Sequence, residues 1–232
     1  MKNLNRLILL IALCLPLFTQ VFAAQLEAGA SGLKFTCLIW DRLPMQELYY
    51  KDGQSYQLIT FRKGKRSQDY PLKKSEVFEL YVPDVNAASE PSYKLVGATP
   101  LVAGTQEMLF IIMSAEAESE MPLSIISLDD SLAGFPPGSF QFSNFTDSAL
   151  LVKVRNELTE LESGQTATVS AQSLDDDGMV PVTFTSLAGE LLQFNRFYAH
   201  TRSRELVLIR KSKNTRKPLE FKFIPQSVPA QR

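Results

Sequence analysis

Histidine, cysteine and tryptophan are almost missing from this chain of 232 residues, which holds one histidine, two cysteines and one tryptophan. A lone histidine, His200, rules out a multi-histidine metal centre and supplies a Ser-His-Asp triad poorly. No Gly-x-Ser-x-Gly elbow and no phosphate-cradling glycine loop accompanies it. His200 closes the run Arg196-Phe197-Tyr198-Ala199 and reads as a strand-end residue. No apolar run reaches the roughly 20 residues of a membrane-spanning helix. Strong net charge is absent too: the formal value is −1 at pH 7. The short basic run from Arg62 to Arg66 reads as a hairpin tip, better suited to anionic lipid or polysaccharide than to nucleic acid.

What is present begins with an export signal. Lys2 and Arg6 form a positive start, Leu7 to Phe18 an apolar run, and Val21-Phe22-Ala23 a small-residue cleavage site. Residues 1–23 are therefore expected to be removed, and the body to be exported to the periplasm, the cell surface or the medium. Cleavage takes Cys14 away and leaves Cys37 alone, so no internal disulfide is expected. Cys37 shares a strand face with Phe35 and Ile39 and reads as a core residue.

The remaining chain is a series of short apolar or alternating runs separated by Gly, Pro, Asp and Ser. Examples are Tyr56–Phe61, Val77–Val82, Met108–Met113, Leu123–Leu128, Ser139–Phe145, Leu150–Val154, Leu191–Tyr198 and Glu205–Arg210. This spacing predicts an all-β protein built from sandwiches or barrels. Only Asn156–Glu162 reads as a helical turn.

The two halves match in order. Gly32 precedes Asp41 by the same interval as Gly138 precedes Asp147, and Leu48 and Val154 follow these aspartates equally. Gly53-Gln54-Ser55 parallels Gly164-Gln165-Thr166. The run from Glu107 parallels that from Glu205, and Pro122-Leu123 parallels Pro218-Leu219. The series predicts a duplication. It sets a first sandwich over 24–130, a Pro- and Gly-rich linker over 131–137, a second sandwich over 138–226 and a tail over 227–232. One larger sandwich built from both halves is the alternative.

The stretch Gly138 to Asp147, followed by Leu150–Val154 and Gly164, resembles the opening of small immunoglobulin-like domains of unknown function in exported bacterial proteins. The resemblance implies a sandwich in a bacterial envelope and carries no catalytic residues; with the duplication, two tandem immunoglobulin-like sandwiches are expected.

Two polar features remain. Asp175, Asp176 and Asp177 before Gly178 are hard oxygen ligands, so Ca²⁺ is the candidate ion; a solvated hairpin tip is the plainer reading, and no other cofactor is expected. Charge is also unevenly spread. Residues 103–195 carry 14 acids against Lys153 and Arg155, whereas residues 196–232 carry 10 bases against Glu205 and Glu220. Matching loops bear Glu116, Glu118 and Glu120 in one half and Lys213, Arg216 and Lys217 in the other. These loops are candidates for steering a protein partner or a second copy, on the premise that the halves run end to end.

Together these readings point to a non-catalytic exported envelope protein that binds or assembles through sandwich surfaces, with a protein partner or itself. Two alternatives are kept. Trp40 with Tyr49, Tyr50, Tyr56 and Tyr93 would stack on sugars in a carbohydrate-binding module. A two-domain periplasmic pilus-type chaperone, similar in length and layout, would offer Met108–Met113 as an edge strand.

Overall fold

The computed structural model describes residues 32–43, 47–62, 64–73, 75–85, 92–170, 178–212 and 217–228. Residues 1–23, expected to be an export signal, and Asp175 to Asp177, Lys213 and Arg216 lie outside the described residues.

Strand-forming runs bounded by turn residues become sixteen strands, with no helix among the described residues. The first half holds β1 (Leu33–Ile39), β2 (Leu48–Asp52), β3 (Ser55–Ile59), β4 (Tyr70–Leu72), β5 (Val77–Pro83), β6 (Tyr93–Pro100), β7 (Glu107–Ser114) and β8 (Leu123–Asp129). The second holds β9 (Ser139–Phe145), β10 (Leu150–Val154), β11 (Glu157–Leu161), β12 (Thr166–Ser170), β13 (Met179–Ser186), β14 (Leu191–Tyr198), β15 (Ser203–Lys211) and β16 (Leu219–Ser227).

Each half is a pair of four-stranded sheets. The first has β4-β1-β7-β8 and β3-β2-β5-β6; the second has β12-β9-β15-β16 and β11-β10-β13-β14. Adding eight to a strand number converts one half into the other. Even the exceptions repeat: β1 runs parallel to β7 and β9 parallel to β15, while the other ladders are antiparallel. The register shift between Leu80 and Tyr81 on β5 recurs between Phe184 and Thr185 on β13. A bulge at the same place in both halves fixes their alignment residue by residue, because each bulge displaces the partner strand by one position.

That alignment corrects the sequence matches. The parallel ladders equate Phe35 opposite Met108 with Phe140 opposite Glu205. Asp41 therefore corresponds to Thr146, and Glu107 to Arg204, one residue away from the matches by motif. A slip of one residue in a strand exchanges its two faces, which is why the motif match cannot hold. Likewise the hairpins equate Leu48 with Leu150, each opening its strand and facing the last residue of the next. Gly53 turns β2 into β3, whereas Gly164 lies between β11 and β12.

Three further expectations change. Asn156–Glu162 is not helical: Arg155, at φ 54°, reverses the chain at a tight turn and β11 pairs back on β10. β6 escapes the sequence reading because Gly97 and Pro100 interrupt it, and β4 because it is three residues long. The stretch 131–137 is no free linker, since Phe135 is fully buried.

The halves are stacked face to face, giving four sheets and three apolar layers. Phe35, Cys37, Leu80 and Phe110 lie in the first sandwich, and Phe140, Phe142, Val182 and Val207 in the second. A third layer joins Leu38, Leu109, Ile111 and Leu128 of the first half to Phe135, Leu206, Leu208 and Ile224. β7 and β15 therefore bury both faces, which explains their unbroken apolar runs.

Candidate functional site

The polar side chains that the fold gathers most tightly lie at the junction of the halves. Asp130, just past β8, is buried and shared by two arginines. Arg66 Nη1 lies 2.5 Å from its Oδ2 and Arg204 Nη2 lies 3.2 Å from its Oδ1. Arg204, at the start of β15, also donates to the carbonyls of Phe135 (2.7 Å) and Ser131 (3.3 Å) and to Gln226 Oε1 (2.7 Å). Its guanidinium lies over the Phe135 ring, 4.8 Å from the centroid. Burial pulls the Arg204 pKa down, and the Asp130 charge opposes that pull. Charges this well paired read as structure. A polar cavity of about 290 Å³ opens beside the bridge, lined by Lys34, Thr36, Arg66, Asp69 and Glu107 among others. Its mixture of both charge signs gives no single ligand class.

The opposite end of the junction is built around Trp40. Arg210 lies over its ring at 5.3 Å and Lys222 at 5.5 Å. Arg210 reaches Asp41 (2.8 Å) and Glu220 (2.9 Å), and Lys222 Nζ donates to the carbonyls of Ile39 and Trp40. The basic tail of the sequence thus spends Arg204, Arg210 and Lys222 on the first half of its own chain. Because β15 meets the first half at Asp130 near its start and at Asp41 near its end, β7 and β15 run alongside one another. Their loops leave the same end of the molecule, so the premise of an end-to-end arrangement does not hold. Glu116, Glu118 and Glu120 are exposed in the β7–β8 loop, and Lys217 is exposed before β16. None of them takes part in the junction.

The other sequence candidates separate. His200 is exposed, its Nδ1 accepting from the Arg202 amide at 3.0 Å. Cys37 is sealed in the first core, where burial pushes its thiol pKa well up. Among the described residues no three His, Cys, Asp or Glu side chains group as metal ligands. Met108–Met113 is no edge strand, since β7 is bonded to β1 on one side and β8 on the other. Of the proposed sugar platform, Tyr50 is in the core and Trp40 in the junction.

Tyr49, Tyr56 and Tyr93 do meet, joined by Tyr81, on the outer face of β3-β2-β5-β6. Tyr56 stacks on Tyr93 at 4.0 Å, and Tyr49–Tyr93 and Tyr56–Tyr81 meet edge to face near 5 Å. Tyr81 donates to Glu79 at 2.7 Å, and burial followed by that carboxylate raises its phenol pKa. The rings pack on each other, so they form a cluster more than an open platform.

The outer face of β11-β10-β13-β14 is different. Ladder register puts Leu158, Leu191, Phe194 and Tyr198 on that side, with Leu191 61%, Phe194 52% and Tyr198 55% exposed. Alternation in β14 could have signalled this surface, but the same pattern also describes a strand with one buried face. No family model matches this sequence, and no curated protein matches it.

Proposed function

We propose that this chain is a non-catalytic envelope protein, exported by its first 23 residues, that binds a protein partner through its outer sheets. The observation that carries the reading is the apolar outer face of the second half. Stacking consumes both inner sheets, yet Leu158, Leu191, Phe194 and Tyr198 remain in solvent on the sheet left over. Leu191, Phe194 and Tyr198 follow one another along β14, with Leu158 on the far edge of the same face, and exposed apolar side chains gathered on a strand in this way favour an interaction surface.

Mild photo-crosslinking in the intact envelope tests this, with the crosslinker placed at Leu158 or, as control, at Leu58 on the other outer face. A discrete, saturable protein adduct at Leu158 is expected. Absence of any adduct from both faces, with the protein correctly exported, sinks the proposal.

A second reading is glycan binding at the first half, through the sides of Tyr49, Tyr56 and Tyr93 that their mutual packing leaves partly exposed. Retention on a glycan array that is lost with Tyr93→Ala but kept with Phe194→Ala would support it over the first.

A further inference from the structure

Each half serves as a control for the other, because their topology and bulges coincide. In the first half the sandwich shuts along β6 and β8. Gly97 permits the approach: a Cβ there would lie 3.0 Å from Ile125 Cδ1 and 3.1 Å from Leu123 Cβ. Ser127 Oγ then donates to the Pro100 carbonyl at 2.7 Å.

In the second half the bulge register puts Gln193 where Gly97 stands and Arg196 where Pro100 stands. The β7–β8 and β15–β16 ladders put Phe223 where Ser127 stands. Two bulky residues replace two small ones, so side chains span the gap that the backbone closes in the first half: Phe223 of β16 meets Phe197 of β14 edge to face, with ring centroids 4.8 Å apart. Phe223 lies opposite Val207, on the core side of its sheet, and is nevertheless 44% exposed. Gln193 Oε1 is buried with no hydrogen-bond donor among the described residues.

The outer edge of β14 has no partner strand among the described residues. The Ala199 amide donates to the Gly178 carbonyl at 2.7 Å. Alternation along an antiparallel ladder then turns the amides and carbonyls of Tyr198, Arg196 and Phe194 away from β13. Among the described residues no strand meets them. Arg196 is exposed and makes no hydrogen bond or ion pair among the described residues, and it stands between Phe194 and Tyr198 on the outer face.

We infer that β14 is a docking edge for an extended segment of a partner protein, apolar at alternate positions and carrying a carboxylate opposite Arg196. Strand addition satisfies the free edge, and an unpaired apolar edge strand of eight residues is a template for it. Inward apolar side chains of the guest cover the exposed part of Phe223. Outward ones lie along Phe194 and Tyr198, with the carboxylate between them. The exposed Arg196 guanidinium, with no ion pair among the described residues, complements the carboxylate of such a guest. This inference rests on the binding-protein reading and adds the edge and the chemistry of the guest.

Fluorescence polarisation with the full chain and a short labelled peptide of alternating valine and glutamate tests it. Saturable binding is expected, weakened at least tenfold by Arg196→Pro and by Arg196→Glu, and absent for a valine–lysine peptide. Proline removes an edge amide that makes no ladder bond, and the first half carries proline at the matching place. Should Arg196→Pro melt early, Arg196→Glu decides alone. No binding by the wild type, or equal binding by the folded variants, overturns the inference. A dimer in sedimentation that Arg196→Pro abolishes gives the edge to a second copy and also overturns it. If the peptide fails while the Leu158 adduct persists, the edge assignment falls and the binding-protein reading stands.

Discussion

Trp40 and Phe145 occupy equivalent positions at the ends of β1 and β9, and they meet each other edge to face with ring centroids 5.6 Å apart. A residue that touches its own counterpart lies near the axis relating the two halves. This contact, capped by Arg210 and Lys222, joins the halves at one end, as Asp130 does at the other.

Replacing Trp40 with alanine is expected to cost about 2–3 kcal/mol, below a full core deletion because the ring is only partly buried. In a double-mutant cycle with Phe145→Ala the pair should couple by about 1 kcal/mol. Urea denaturation measures both, and additive losses would show that the ring contact is not a joint.

Asp130→Asn keeps the shape and removes the charge that the buried Arg204 and the partly buried Arg66 share. Leaving both uncompensated should destabilise by about 3 kcal/mol. Equilibrium denaturation of the variant checks this; a change below about 1 kcal/mol would mean that water already screens the cluster.

Gly97→Gln gives the first half the residue that the second half has. The added side chain meets Leu123 and Ile125, so the β6–β8 edge must part. A loss of about 1–3 kcal/mol is expected. Faster exchange of amides along β6, read by hydrogen–deuterium exchange, would accompany it.

Glu205 stands where the first half has Met108, and burial raises its carboxyl pKa. The folded state then holds its proton to higher pH than the unfolded state. Stability from this group falls as pH rises from the ordinary carboxylate value through the raised one. Glu205→Gln lacks that step. The variant should be more stable than wild type at neutral pH, and the gap should close below the ordinary carboxylate range. Thermal melts across pH test the sign; a constant gap would remove the linkage.

The all-β class, the two halves and their order were legible in the sequence, since period-two runs and turn residues are local signals. Leu150–Val154 and Glu205–Arg210 are examples. The residue register was not. Gly and Asp recur at many turns, so matching Gly32 and Asp41 to Gly138 and Asp147 landed one residue off, and only hydrogen-bonded ladders show which face a residue takes. The tyrosine cluster was half legible: Tyr49, Tyr56 and Tyr93 were singled out, whereas Tyr81 was missed and Tyr50 points inward.

The sequence alone also carried the charge asymmetry. What those charges meet was decided by tertiary structure. Arg204, Arg210 and Lys222 face Asp130, Asp41 and Trp40 because the inner sheets stack face to face, and local pattern is silent about which apolar faces pair. The open β14 edge is likewise a tertiary fact. Gln193 and Phe223 are ordinary strand residues in the sequence, and only the fold sets them where the first half has Gly97 and Ser127.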